Sequence, residues 1–184
     1  MDILNEIVEV SNQIIDTLDE HGFFEENEDH LHQIIREIRH FRPKLIFANS
    51  IRDRHPDHGR AAALVARAAF LSGLPKIKTE RNGISQEAYR SPMLLHYIQD
   101  MYIEPDVVLD VSAYAEEKIK LVQCFSSQFF DPNSTEPETP ISNAHFFEFM
   151  KGRMLQFGRP IGAKYAEGFT VNRTLGVSDL FHLI

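Results

Sequence analysis

The sequence has very little cysteine and no excess of positive charge. Cys124 is the only cysteine among the 184 residues, so an intrachain disulfide and a Cys-x-x-Cys zinc site are both excluded. Without a disulfide framework, nothing in the sequence indicates an oxidising compartment. The formal net charge of −8 argues against a nucleic-acid-binding protein, because such proteins carry basic surfaces that neutralise phosphates.

The sequence also lacks long apolar runs. No stretch approaches the roughly 20 apolar residues of a membrane span, and no basic region followed by an apolar run opens the chain as in a signal peptide. We therefore expect no membrane partner and a cytoplasmic location. The 43% hydrophobic and 25% charged residues are typical of a soluble globular protein, which we predict to be a single α/β domain over 1–184.

The stretch Arg54-His55-Pro56-Asp57-His58-Gly59 concentrates chemically useful side chains. It follows the apolar run Leu45–Ala48 and precedes an alanine-rich segment, which predicts strand, loop and helix with Pro56 as the first helical residue. Loops at the carboxyl ends of strands are where α/β sheets bind ligands. A neutral imidazole there can bind a metal, and a neighbouring carboxylate can fix its tautomer. The alternative is a solvated surface loop, because nine histidines are scattered through the chain.

Six stretches occur in an order that matches one known family. They are Ile51–Arg60, Leu95–Gln99, Pro105–Ser112, Ser127–Phe129, Glu138–Ile141 and Tyr165–Phe169. Together they resemble the PIG-L/LmbE-type zinc de-N-acetylases, and within that family they are most similar to the bacillithiol-biosynthesis deacetylases. The resemblance runs from about Gly22 to the C-terminus. It implies a three-layer, Rossmann-like α/β sandwich with a mostly parallel sheet.

The resemblance also implies a reaction and a set of site residues. The reaction is hydrolysis of a linear amide bond that removes acetyl from an N-acetyl sugar, such as an N-acetylglucosamine conjugate of bacillithiol biosynthesis. The cofactor is zinc. By resemblance His58 is a zinc ligand, Asp57 orients an imidazole and His55 stabilises the tetrahedral intermediate. Arg52 and Arg54 contact the substrate in this reading, and in the alternative reading they form surface salt bridges that hold the loop.

One part of the family pattern is not found. Family members open with a strand and an Ala-His-Pro-Asp-Asp-type loop that supplies the other two zinc ligands and the general base, whereas residues 3–18 here have the spacing of an amphipathic helix. We therefore expect a fold that is N-terminally incomplete and a homo-oligomer that covers the surface left exposed. His21, Asp53 and a partner chain are the first places to look for replacement ligands.

Four interpretations of this gap stay open. The chain is a fragment of an active deacetylase, one part of a split enzyme, a non-catalytic relative that binds a sugar or a partner, or a structural protein.

The remaining patterns predict the other secondary structure. Strands are expected over Lys44–Asn49, Leu94–Gln99 and Asp106–Val111, and helices over Asn27–Phe41, Ala61–Leu71, Ser112–Ser127 and Asn143–Phe157. Ser112 is expected to cap its helix. From the last two of these helices, the side chains expected to face the protein core are Ile119, Val122, Phe125, Phe146, Phe149, Met150 and Phe157. Asn82-Gly83 predicts a turn, and His96 is interpreted as a strand residue with a structural hydrogen bond.

Overall fold

The computed structural model describes residues 27–125, 128–130, 132 and 137–183. The contacts between residues divide the chain into a first unit that ends at Tyr102 and a second unit that begins at Ile103. The helix predicted over residues 3–18 lies outside the described residues. Across the described ranges, no helix combines the length and the apolarity that crossing a membrane requires.

The first unit contains two helices and a parallel pair of strands. Its elements in chain order are α1 (Glu28–Phe41), β1 (Leu45–Ala48), α2 (Pro56–Leu71), β2 (Glu80–Arg81), β3 (Ile84–Ser85) and β4 (Met93–Tyr97). Asn27 caps α1 as predicted, because its side chain accepts a hydrogen bond from the backbone N–H of His30 at 2.8 Å. β1 and β4 pair in parallel with Ala48 opposite His96, so both strands end at the same edge.

The core of the first unit lies between α1 and α2. The buried side chains of α1 recur at helical spacing, and they meet small and aliphatic residues of α2. The cluster consists of Leu31, Ile35, Ile38, Leu64 and Ala68. Burying an aliphatic side chain of this size stabilises a fold by about 1.5–3 kcal/mol. This packing holds α2 against α1, and the loop after β1 leads directly into α2.

A single buried cation ties the residues after α2 to α1. Arg39 is only 4% exposed, and its guanidinium donates at 2.8–3.0 Å to the backbone oxygens of Ser72, Leu74 and Ile77 and to Thr79 Oγ1. Burial lowers the pKa of this guanidinium. Because four acceptors surround it, the charge is stabilised without a carboxylate, and we name these five residues the Arg39 cluster.

The turn predicted at Asn82-Gly83 is confirmed. These two residues join β2 to β3, which pair antiparallel, and both have positive φ angles of 52° and 74°. Two consecutive positive φ values are what the type I′ form of a two-residue hairpin turn requires, and asparagine and glycine tolerate them best.

The second unit is a mixed α/β arrangement with its own small core. Its main elements are β5 (Val107–Asp110), α3 (Ala115–Gln123), α4 (Phe146–Gly158) and β6 (Ala166–Val171). β5 and β6 pair antiparallel, with Asp110 opposite Ala166. The buried residues of the core are Ala115, Ile119 and Met154.

Three predictions for the second unit are wrong. Ser112 does not cap α3, because a 3-10 turn over Ser112–Tyr114 intervenes and the Ser112 hydroxyl bonds the backbone of Tyr165 instead. Phe125 is 59% exposed because α3 ends at Gln123, before the helical spacing reaches it.

Phe149 is 63% exposed. The prediction failed because apolar residues are spread around most of the helix α4. The sequence therefore left two possible stripes for the face of α4 that packs against the core. The face that does so runs through Phe147, Met150 and Met154.

Candidate functional site

The candidate site is the loop between β1 and α2, at the carboxyl end of β1. α2 begins at Pro56, as predicted, because the fixed φ of proline suits the first helical position. His55 is the N-cap, and its Nδ1 accepts a hydrogen bond from the backbone N–H of Asp57 at 3.3 Å. Both histidines of the motif are therefore held at the first turn of a helix.

A buried carboxylate holds the second histidine. Asp53 Oδ2 lies 2.5 Å from Nδ1 of His58, and the Asp53 side chain is 0% exposed while that of His58 is 31% exposed. The other oxygen, Oδ1, accepts from the backbone N–H groups of Asp100 at 3.1 Å and Met101 at 2.7 Å. We name Asp53, His58, Asp100 and Met101 the Asp53 cluster.

The charge of Asp53 is stabilised by the hydrogen bonds that it accepts. Burial acts to raise the pKa of this carboxyl, but hydrogen bonds from the Met101 backbone, the His58 ring and the Arg54 backbone, with the charge of His58, outweigh burial and leave the pKa below its ordinary value. Burial and then the nearby charge of Asp53 raise the pKa of the Tyr97 phenol. At neutral pH Asp53 is therefore ionised and Tyr97 is neutral.

Further contacts join the loops that follow the two parallel strands. Gln99 Oε1 lies 3.4 Å from both Asn49 Nδ2 and the backbone nitrogen of Ser50. Arg54 Nε donates to Asp100 Oδ2 at 3.0 Å. The loop after β1 is therefore held against the loop after β4, at the edge of a parallel strand pair where α/β proteins bind ligands.

His96 of β4 is a buried imidazole with one nitrogen open. It is 1% exposed, and its Nδ1 lies 2.8 Å from the carbonyl oxygen of Asn49. A carbonyl only accepts, so the hydrogen is on Nδ1 and the neutral ring has a bare Nε2. That Nε2 is buried without a hydrogen-bond partner in the described part of the chain. The structural hydrogen bond predicted for His96 is confirmed, whereas its open nitrogen was not foreseen.

The structure brings the predicted histidines and Asp57 together. The ring centroids of His55 and His58 are 5.4 Å apart. Asp57 Oδ2 lies 3.7 Å from Nδ1 of His55, so the imidazole that Asp57 can orient is that of His55. The carboxylate that hydrogen-bonds His58 is Asp53. The catalytic and metal-binding roles of these residues stay predictions.

The two predicted substrate-binding arginines differ in their surroundings. Arg54 forms the ion pair with Asp100, which is the loop-holding alternative for this residue. Arg52 is exposed, and its backbone oxygen accepts from the hydroxyl of Ser50 at 2.9 Å. The two therefore differ in that the Arg54 guanidinium is engaged with the loop after β4.

The described residues do not make up a zinc site by themselves. A catalytic zinc takes three protein ligands, and within 27–125, 128–130, 132 and 137–183 no three His, Cys, Asp or Glu side chains are grouped to hold a metal ion. His58 can offer Nε2. Asp53 has a fully buried side chain, and its two oxygens are engaged with His58, Asp100 and Met101. His21 lies outside the described residues. No catalytic step through zinc follows from this set.

Sequence reasoning missed the carboxylate that holds His58. Asp57 is adjacent to His58 along the chain, whereas Asp53 is further away, so proximity favoured Asp57. The signal that would have found Asp53 is its position, since Asp53 and Asp100 each follow a predicted strand by a few residues. Polar side chains at the ends of neighbouring parallel strands meet at one edge of the sheet.

No protein-family model matches the chain. Among solved structures, the chain is similar to the conserved protein TT1542 from Thermus thermophilus (24% identity, TM-score 0.65, 82% of this chain and 62% of that one). It is similar to GalB, the 4-carboxy-2-hydroxymuconate hydratase from Pseudomonas putida (19%, 0.63, 85% and 63%). It is also similar to the N,N'-diacetylchitobiose deacetylase from Pyrococcus horikoshii (21%, 0.59, 79% and 51%).

At these identities the likeness shows the fold. The predicted Rossmann-like α/β fold class is thereby confirmed. The chain spans 51–63% of the length of the three structures. Two of them are a hydratase and a deacetylase, so the fold supports more than one reaction and the choice depends on the site.

Proposed function

We propose that the protein is a hydrolase that removes the acetyl group from an N-acetylated sugar. The observation that carries this proposal is the His58–Asp53 pair, held beside His55 at a strand end of a fold that a solved sugar deacetylase shares. An N-acetylglucosamine conjugate of the bacillithiol pathway is the substrate that we infer from the resembling motifs.

Hydrolysis of an amide needs an activated water, a polarised carbonyl and a proton for the leaving amine. We propose zinc as the cofactor, with His58 as one ligand through Nε2 and with further ligands from residues outside the described ranges or from another polypeptide. Bound zinc would supply Lewis acidity to the water and the carbonyl. The part played by the described residues is to hold the His58 ring and to present His55 beside it.

His55 is the proton donor in this proposal. Because its Nδ1 accepts from the backbone N–H of Asp57, the neutral ring carries its hydrogen on Nε2. The Nε2–H group of the neutral ring can stabilise an oxyanion as it develops on the carbonyl. The charged ring, with hydrogen on both nitrogens, can protonate the leaving amine from Nε2 and return to neutral. The Asp57 carboxylate, 3.7 Å from Nδ1, would stabilise the ring when it is charged.

The proposal is tested by measuring acetate release from an N-acetylglucosamine conjugate, with the purified 184-residue protein and with or without added zinc. We expect release that depends on zinc. His58→Ala is expected to reduce release to background, and His55→Ala is expected to lower it about 10²–10⁴-fold, the usual contribution of an acid–base residue. His40→Ala is the matched control, because His40 is an exposed histidine at the end of α1. No release under any condition would contradict the proposal.

A second function is favoured by the lack of a three-ligand metal group among the described residues. In that case the chain binds the acetylated sugar without hydrolysing it, or is one part of a split enzyme. A ligand that binds the folded state raises the melting temperature by mass action. A higher melting temperature with the sugar conjugate but no acetate release supports the binding function. If millimolar ligand produces neither a higher melting temperature nor acetate release, both functions are contradicted.

A further inference from the structure

We propose that Asp53 is a positioning residue that fixes the tautomer of His58 and ties this ring to the backbone after β4. The catalytic meaning of this inference rests on the proposed function, whereas the tautomer itself follows from the hydrogen bonds. Neither the motif nor the spacing of the sequence assigns such a role to Asp53. The role is distinct from that of Asp57, whose carboxylate lies near the other ring.

The tautomer follows from which groups can donate. An ionised carboxylate has no hydrogen to give, so the 2.5 Å contact between Asp53 Oδ2 and His58 Nδ1 places the hydrogen on Nδ1. A neutral His58 therefore has a bare Nε2, the form that can accept a proton or bind a metal ion. With the opposite tautomer, Nε2 would carry hydrogen and could do neither.

The orientation of the carboxylate is fixed from its other side. Oδ1 of Asp53 accepts from two consecutive backbone N–H groups, those of Asp100 and Met101. The side chain is fully buried, so water does not compete for these hydrogen bonds. Rotation of the carboxylate would break all three bonds at once. The position of the His58 ring is therefore coupled to the backbone at Asp100 and Met101.

His55 provides a reference with the opposite tautomer. Its Nδ1 accepts from a backbone N–H, so its hydrogen lies on Nε2. The two rings, 5.4 Å apart, thus present one bare nitrogen and one N–H group. A carbonyl substrate needs both kinds of group, an acceptor or metal ligand and a hydrogen-bond donor. The tautomer of His58 depends on the Asp53 side chain, whereas that of His55 depends on a backbone N–H group.

The test reads the ring nitrogens directly by ¹⁵N NMR at a pH where both rings are neutral, with His58 assigned from the signals missing in His58→Gln. In the unmodified protein we expect hydrogen on Nδ1 of His58 and on Nε2 of His55. In Asp53→Asn the amide oxygen can still accept from Asp100 and Met101, while the amide nitrogen donates to His58. We therefore expect the His58 tautomer to invert and the His55 tautomer to stay the same.

Asp100→Asn is the matched control, because it removes a carboxylate from the same loop, the one that accepts from Arg54 Nε. It is expected to leave both tautomers unchanged. A purely structural role for Asp53 would lower stability in Asp53→Asn without inverting the His58 tautomer. As a second readout, zinc affinity should fall about 10–100-fold in Asp53→Asn, as for other residues that orient metal ligands.

Two results would overturn the inference. One is hydrogen on Nε2 of His58 in the unmodified protein, and this measurement decides the question even if Asp53→Asn does not fold. The other is a folded Asp53→Asn protein in which His58 keeps its tautomer. Because neither readout uses acetate release, a failure of this inference can be told apart from a failure of the proposed hydrolase function.

Discussion

The Arg39 cluster and the Asp53 cluster both centre on a buried charged side chain, yet they differ in whether a ring nitrogen stays available for a ligand. Arg39 donates four hydrogen bonds to acceptors on the segment after α2. Asp53 is likewise occupied on both oxygens, but the ring that it holds keeps Nε2 without a hydrogen bond in the described structure. Polar groups that hold a fold together use their hydrogen-bonding capacity on the protein, whereas groups that act on a ligand keep one atom available.

The largest effect is expected from breaking the Arg39 cluster. Arg39→Met would take the guanidinium away from the backbone oxygens of Ser72, Leu74 and Ile77 and from Thr79 Oγ1, and Ser72 and Thr79 are buried. Buried polar groups that lose a charged partner are costly, so we expect the free energy of unfolding to fall by about 3–5 kcal/mol. Chemical denaturation measures this loss. Arg39→Lys keeps the charge but lacks the planar set of guanidinium donors, so it should recover only part of the lost free energy of unfolding. A loss below about 1 kcal/mol in Arg39→Met would contradict a structural role.

A smaller, pH-dependent effect is expected for the Asp53 cluster. Asp53→Asn should lower the free energy of unfolding by about 1–3 kcal/mol at neutral pH, because the backbone N–H groups of Asp100 and Met101 then donate to a neutral amide oxygen in place of a charged carboxylate. The pKa of Asp53 in the folded protein lies below its ordinary value of 3.8. Its stabilisation is therefore present above pH 3.8 and is lost as the pH falls through the folded pKa. Urea denaturation from about pH 6 to about pH 3 should show the difference between the two proteins narrowing at the acid end. A stability difference between the two proteins that grows towards about pH 3 would contradict this prediction.

His96 tests whether an open nitrogen marks a group that is not needed for stability. His96→Leu removes one hydrogen bond to Asn49 and also removes a buried acceptor that has no partner in the described structure. The two effects oppose each other, so we expect a net loss of about 1 kcal/mol. Thermal or chemical denaturation of His96→Leu and Arg39→Met under the same conditions compares their losses of stability. A loss as large as that of the arginine variant would mean that Nε2 is fully satisfied in solution.

The smallest effect is expected at the exposed ion pair of the site. Arg54 and Asp100 have side chains that are 40% and 33% exposed, and such pairs contribute about 0.2–1 kcal/mol. Arg54→Ala should therefore change stability by less than about 0.5 kcal/mol. Arg52→Ala is the matched variant for substrate contact, and it should raise KM more than Arg54→Ala does. Equal effects of the two variants on KM would remove the distinction that we draw between them.

The order of the elements could be predicted because each depends on local signals. The cap at Asn27, the proline that begins α2 and the Asn82-Gly83 turn all fix backbone geometry through neighbouring residues. The motif likewise located the loop that carries His55 and His58. These features need no knowledge of distant parts of the chain.

The contacts that define the site could not be predicted in this way. Asp53 meets backbone groups 47 and 48 residues away, and Gln99 meets Asn49 across 50 residues. Such pairs depend on β1 and β4 being neighbours in register, which the spacing of apolar residues does not specify. The same limit explains Phe149, because an apolar surface that surrounds a helix does not reveal which side packs.

We infer that His58 keeps Nε2 open for a ligand, and a zinc titration of the metal-free protein tests this inference most directly. The ring signals of the histidines are followed by NMR as zinc is added. We expect the His58 signals to change first, with zinc on Nε2, and the response to disappear in His58→Ala but not in His40→Ala. Zinc that perturbs other histidines while His58 stays unchanged, or no response at millimolar zinc, would contradict the account.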